Sequence, residues 1–126
     1  MQQLIEAIHK AHQLLLQVKA DALTPQLLSR TEKQLNAIDI HQILEEYAQS
    51  LPEKNNEEDE NETYEKQLNT ISDHINKELA PLNSSLGKIK QLRETLNLPA
   101  LDGIIGSSQK IVRAIYQFTS KLNAKE

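Results

Sequence analysis

The segment EAIHKAH near the amino terminus carries the side chains best suited to metal chemistry. Glu6 and His9 have the Glu-x-x-His spacing, and His12 follows one turn later. Glu-x-x-His on a helix is half of the di-iron carboxylate motif of ferritin-like bundles, which needs a second copy of the motif. This chain has no second copy. We therefore interpret these three side chains as surface residues, and we expect no metal and no cofactor.

Two further histidines, His41 and His74, raise the possibility of phosphotransfer, because an exposed imidazole can carry a phosphoryl group as a covalent intermediate. The segment around His74, SDHINKEL, contains Lys77 but no glycine. It therefore has the lysine but lacks the glycine that usually accompanies it in small helical phosphotransfer domains. A histidine-phosphotransfer-like signalling bundle is kept as an alternative function.

The segment LDGIIGSSQKIVRAIYQF combines small residues with a lysine and invites comparison with a phosphate-binding loop. A Walker loop needs Lys directly after its last glycine, and a strand before it. Here Lys110 does not follow Gly106, and no strand precedes the segment. We predict instead the start of a helix, where small residues such as Gly103 and Ser108 let a neighbouring helix or turn approach closely.

The composition predicts an all-α domain. The chain has 126 residues, which is the size of one domain, so we expect residues 1–126 to form a single unit. Gln, Glu, Lys, Leu and Ala are abundant and favour helices, whereas there is no Trp and only one Phe. The fold that we predict is an antiparallel bundle of four main helices.

Several function classes are disfavoured by residue types that the chain lacks. Without Cys, disulfides, thiol nucleophiles and Cys-bound zinc are excluded. No nucleophile and base occur in a spacing typical of catalysis, so we expect a protein that is not an enzyme and has no small-molecule substrate. The amino-terminal segment lacks a basic region and a continuous apolar run, so we expect a cytoplasmic protein without membrane insertion.

Apolar periodicity places the four helices along the chain. The first apolar stripe runs from Leu4 to about Leu23, and Thr24 with Pro25 has the sequence of a capped start for the second helix. The third stripe stays in phase for about nine turns through Pro81, which predicts a helix bent near 77–81, with a stop at Ala80 as the alternative. Before it, residues 52–62 are acidic and predict a mobile loop or a frayed helix start. The last helix follows the NLPALDG turn.

The second helix contains a change of phase. Its later apolar residues, from Ile40 onward, would face about 170° away from Leu28 and Leu35 on one continuous helix. Two structures fit this pattern. The helix breaks near Asp39, which then caps a new helix, or a single long helix leaves its second apolar face for a partner. We favour the break or bend.

Surplus apolar surface is the main functional clue. A third helix of thirty-odd residues would span about 50 Å, well beyond the roughly 30 Å of the first and last helices. We therefore predict a non-enzymatic protein–protein interaction module: an adaptor, a dedicated chaperone or a small subunit of a larger assembly. It would bind a protein partner or a second copy of itself through apolar helix faces. The predicted anchors are Ile40, Ile43, Leu44 and Tyr47.

A basic strip in the carboxy-terminal half gives a further alternative, which is weak association with nucleic acid. The net charge of −4 argues against an overall electrostatic attraction for phosphate backbones. A solvated helix face is the ordinary interpretation, and we regard nucleic acid as an unlikely partner. The residues of the strip are Lys88, Lys90, Arg93, Lys110, Arg113 and Lys121.

Overall fold

The fold was analysed in a computed structural model that describes residues 2–21, 23–51 and 58–123. These residues form five α-helices and a short 3-10 turn, Pro99–Leu101, and the described ranges contain no strand. The helices are α1 (Gln2–Leu16), α2 (Pro25–Asn36), α3 (Ile40–Gln49), α4 (Glu58–Leu96) and α5 (Asp102–Asn123). The all-α prediction is confirmed. The bundle has four rods, which we call arms: α1, α2 together with α3, α4, and α5.

The longest two helices, α4 and α5, form an antiparallel hairpin. At its closed end the guanidinium of Arg93 donates two hydrogen bonds to the carboxylate of Asp102, with N···O distances of 2.9 and 3.3 Å. Near its open end the Ser72 hydroxyl lies 3.5 Å from the carbonyl oxygen of Thr119. The pairing of early α4 with late α5 fixes the antiparallel direction.

The other arms complete an up-down-up-down bundle. His9 of α1 contacts Glu78 of α4, and Leu16 lies beside Lys88, so α1 runs parallel to α4. The α2–α3 arm packs on both α1 and α5 and runs parallel to α5. Each arm is therefore antiparallel to the arm that precedes it in the chain, as predicted.

The core is a single cluster of aliphatic side chains from all arms of the bundle. Spacings of three and four residues bring one stripe of each helix inward, where apolar burial stabilises the fold by about 25 cal/mol per Å². Among the fully buried side chains are Leu4, Ile8, Leu15, Leu35, Ile75, Leu79, Leu82, Leu101, Ile104 and Ile115.

The second arm is broken where the sequence changes phase. Asp39 is the amino-terminal cap of α3, and its carboxylate accepts a hydrogen bond of 3.2 Å from the backbone N–H of Gln42. Thr24 caps α2 in the same way through the N–H of Leu27. Local capping chemistry at Asp39 therefore ends one helix and starts the next, and the continuous-helix alternative is wrong.

The first helix is shorter than its apolar stripe predicts. It ends at Leu16, and tighter turns at Gln17 and Val18 follow it. Val18 stays buried in the core although it lies outside the helix. The prediction of a helix to Leu23 is therefore wrong, because the same spacing also continues through an irregular segment that packs on the core.

The fourth helix is continuous through Pro81, and a stop at Ala80 does not occur. One helix of the bundle is bent by 30°. We assign the bend to Pro81, because a proline inside a helix removes a hydrogen bond and clashes with the carbonyl one turn earlier. Residues 58–62 of the predicted acidic loop are helical instead, and residues 52–57 lie outside the described residues.

Candidate functional site

Three of the four predicted anchors lie in the protein's own core. Ile40, Leu44 and Tyr47 are only 3%, 8% and 6% exposed, and Ile43 is half-buried. The break at Asp39 supplies the rotation that turns this face inward, so the face is not surplus as the sequence analysis assumed. In this structure Ile43 is the one predicted anchor that reaches the surface in part.

Tyr47 joins the second arm to the last helix. Its ring lies 5.6 Å from the ring of Phe118, centroid to centroid, at an angle of 38°. Its hydroxyl is buried and has no hydrogen-bond partner in the described part of the chain. Burial raises the pKa of Tyr47 above its ordinary value, because the charged phenolate would lose its hydration.

We expect Tyr47→Phe to keep the fold and to raise its stability by about 1 kcal/mol at neutral pH, because an unpaired buried hydroxyl is removed. The folded protein holds the Tyr47 proton more tightly than the unfolded chain does, since its pKa is raised on folding. Stability of the natural protein should therefore fall as pH rises past 10.0, the ordinary value. Urea titrations between neutral and alkaline pH test this. A phenylalanine variant that loses stability in parallel with the natural protein would contradict the assignment.

A groove of about 440 Å³ lies between α1 and α3. Ala7, Ile38 and Ile43 give it an apolar floor. Its polar lining holds three carboxylates and one ammonium, together with two amides. The polar residues are Gln3, Glu6, Lys10, Asp39, Gln42 and Glu46. We call this feature the α1–α3 groove.

The charge of the α1–α3 groove is negative. Glu6 and Glu46 stand on opposite helices, α1 and α3, and Asp39 lies at the amino-terminal end of α3. Lys10 is the one cation of the lining. An apolar strip between acidic edges favours a ligand that is apolar along one face and cationic along its flanks.

Sequence analysis identified Ile43 but missed the rest of this groove. Ala7 and Glu6 belong to α1, and nothing in their spacing indicates that α3 would become their neighbour. The only signal was the residue pattern of α1, whose apolar stripe is widened by Ala7 beside Glu6. The groove follows from helix pairing rather than from any one segment.

The histidines do not converge on a metal site within the described residues. His9 points across to α4, where its Nε2 lies 2.8 Å from Oε1 of Glu78. Glu6 lies on the α1–α3 groove, and His74 is exposed on α4. Within residues 2–21, 23–51 and 58–123 there is no group of three side chains that could hold a metal ion.

The basic strip is divided between two helices. Arg93 is engaged with Asp102, and this hydrogen-bonded contact lowers the pKa of Asp102 below its ordinary value. Lys88 lies beside Leu16 on the α1–α4 edge. Lys110 and Arg113 line a separate groove between α3 and α5. The six cations predicted from sequence therefore do not form one continuous surface.

The glycines of the opening of α5 do not form a phosphate loop, because both lie inside a regular helix. Gly103 faces the carboxylate of Glu32 on α2, which a Cβ at this position would displace. The close neighbour at Gly103 is thus the end of a side chain of α2 and not the backbone of a helix or turn. At Gly106 the position of a Cβ has open space around it, so no close approach occurs there.

Comparisons with models of protein families, with curated proteins and with solved structures give no match for this chain. No helix in the described ranges has the length and apolarity needed to cross a membrane. A function is therefore proposed from the residues that line the surface grooves.

Proposed function

We propose that this protein is a non-enzymatic interaction module whose α1–α3 groove binds an amphipathic helix of a protein partner. One observation supports the proposal above others: an apolar floor that includes Ile43 is bordered by carboxylates on both helices. Of the four anchors predicted from sequence, the proposal keeps Ile43 and drops the three that are buried in the core.

A groove between two neighbouring helices can bind a third helix along its length. A partner helix laid along the groove would bury its apolar side chains against Ile38 and Ile43, which the bundle itself covers only in part. Helix-in-groove recognition of this kind relies on a few apolar anchors spaced by three and four residues. The α1–α3 groove offers two partly buried apolar side chains, one in the link before α3 and one on α3 itself.

The electrostatics of the groove specify the partner's flanks. Carboxylates of Glu6, Asp39 and Glu46 favour Lys and Arg beside the apolar stripe, and they oppose an acidic helix. Because these groups are near the surface, their effect should weaken as salt is added. The expected partner segment is therefore basic and amphipathic, and its association rate should depend on ionic strength.

The test uses two designed peptides of about five turns each, identical in their leucine stripe, with either lysines or glutamates on the polar face. We expect the lysine peptide to bind with a dissociation constant of roughly micromolar order and the glutamate peptide to bind at least tenfold more weakly. Fluorescence anisotropy of labelled peptides gives the affinities. Equal affinities, or no binding by either peptide, would overturn the proposal.

Variants locate the binding surface. Glu46→Lys should weaken binding of the lysine peptide several-fold, and Ile43→Gln should weaken it about tenfold, a change of 1.4 kcal/mol. Leu16→Gln is the matched control, because Leu16 is 50% exposed and lies on the α1–α4 edge, away from the groove. A control variant that weakens binding as much as Ile43→Gln would show that the peptide binds elsewhere.

A further inference from the structure

A second groove, of about 260 Å³, lies on the opposite edge of α3, between α3 and α5. Its lining is cationic and amidic instead of acidic. The residues that line it include His41, Gly106, Gln109, Lys110, Arg113 and Gln117. We call this feature the α3–α5 groove. Its own lining shares no residue with the α1–α3 groove, and its cations take no part in the proposed function, although a hollow that adjoins it shares Ile38 and Asp39 with that groove.

Lys110 and Arg113 have no ion-pair partner within the described part of the chain. They lie one turn apart on α5, where like charges repel and slightly disfavour the helix. The chain as a whole is acidic, so general basicity does not explain the pair. An anion seated between the two cations would remove this repulsion.

The donors of the groove match the oxygens of a phosphate group. The Arg113 guanidinium can bind two oxygens in parallel, and the Lys110 ammonium adds a compact positive charge. The amides of Gln109 and Gln117 supply N–H donors, and the His41 ring can supply another. Several donors around two fixed charges suit a phosphate monoester, which carries close to two negative charges and three strong acceptor oxygens.

Gly106 supports the same interpretation from the shape of the groove. A glycine inside a helix is destabilising relative to alanine, because the unfolded chain has more freedom to lose. Its backbone does not have positive φ, and the place of a Cβ is open space, so neither conformation nor packing explains it. It lies one turn before Lys110, where a larger side chain would project into the groove.

The adjoining space indicates the size of the ligand. The α3–α5 groove continues past His41 and Lys110 into a second hollow of about 320 Å³. This hollow has a mixed lining, with apolar residues such as Ile38 and Ile111 beside a polar pair in which the Ser107 hydroxyl donates a hydrogen bond of 2.7 Å to Oδ1 of Asn36. Asp39 also lines it, with its carboxylate engaged as the cap of α3. The acid disfavours a second phosphate there and leaves room for a neutral polar body.

We propose that the α3–α5 groove binds the phosphate group of a small phosphate monoester with a neutral body. Lys110, Arg113 and His41 hold the phosphate, and the hollow beside Asn36 and Ser107 takes the body. Tyr116, an exposed aromatic residue of α5, does not line the groove, so no Tyr, Phe or Trp ring of the described residues offers nucleic-acid bases a stacking platform there.

The test is a titration of isotope-labelled protein, followed by amide NMR, with inorganic phosphate, glycerol phosphate and a single-stranded oligonucleotide. We expect both small phosphates to shift the amides of the α3–α5 groove, and glycerol phosphate to bind several-fold more tightly. Saturation in the low millimolar range or below supports the site. Shifts spread over all exposed lysines, or none at the α3–α5 groove, would overturn the proposal. Tighter binding of longer oligonucleotides would also overturn it, in favour of a nucleic-acid surface.

Two variants separate charge from shape. Arg113→Gln should weaken glycerol phosphate binding at least tenfold, whereas Lys121→Gln, on the same helix but outside the groove, should change it less than twofold. Gly106→Met keeps every charge and fills the groove, and it should weaken binding at least fivefold without lowering thermal stability. Retained affinity in either groove variant would contradict the assignment.

Discussion

Leu44→Lys will lose most of the protein's stability, whereas Ile43→Lys will leave the fold intact. The two residues are adjacent on α3, but Leu44 is 8% exposed and belongs to the core, and Ile43 is half-buried at the α1–α3 groove. Burying an ammonium without a partner costs several kcal/mol. The free energy of unfolding of a domain of this size is only about 5–15 kcal/mol.

Thermal and urea unfolding give the comparison. We expect a loss of more than about 4 kcal/mol for Leu44→Lys and a change within about 1 kcal/mol for Ile43→Lys. The lysine at position 43 can lay its stem along the groove and place its ammonium near Glu46. If both variants unfold equally, Ile43 is a core residue. If both stay folded, this face of α3 is not buried as the structure shows.

Pro81→Ala will stabilise the protein and straighten α4. An interior proline costs a helix roughly 3 kcal/mol, and the bend relieves part of that cost. Pro81 is exposed, so no core contact is lost with its ring. We expect a gain of about 1–2 kcal/mol, which corresponds to a rise of roughly 4–8 °C in Tm. Residual dipolar couplings of α4 should report a smaller bend.

The matched control is Pro25→Ala. Pro25 occupies the first turn of α2, where its missing N–H costs nothing and its fixed φ suits the helix. That substitution should destabilise the protein by about 0.4–1 kcal/mol, because the unfolded chain gains freedom. If Pro81→Ala is destabilising to the same degree, the bend is a requirement of core packing and not a cost that the helix tolerates.

Features with a local chemical cause could be predicted from sequence. Asp39 breaks the second arm because its carboxylate accepts a hydrogen bond from a backbone N–H in the first turn of α3, and Pro81 bends α4 without ending it because the apolar phase continues on both sides. The end of α1 could not be predicted in this way. Val18 keeps the helical spacing of the stripe although the chain around it is irregular.

The candidate binding surfaces were harder to predict, because the sequence of one helix does not determine which other helix packs beside it. The face of Ile40 and Tyr47 was predicted to bind a partner even though a break at Asp39 was favoured, because the break alone does not show that the rotated face meets the core. Both grooves need two helices that lie far apart in sequence: α1 with α3, and α3 with α5. Leu and Ile spacing shows that a face is buried, but it does not identify the neighbour.

The pairing of α1 with α4 has a consequence for the folding pathway. His9 and Glu78 are 69 positions apart, whereas α4 and α5 are joined by a link of a few residues. Closing a long loop costs more entropy than closing a short one, so the α4–α5 hairpin should assemble early and α1 should dock late. Backbone amides of α1 should then exchange their hydrogens faster than those of α5. Each time α1 detaches from the bundle, the α1–α3 groove would lose one of its walls.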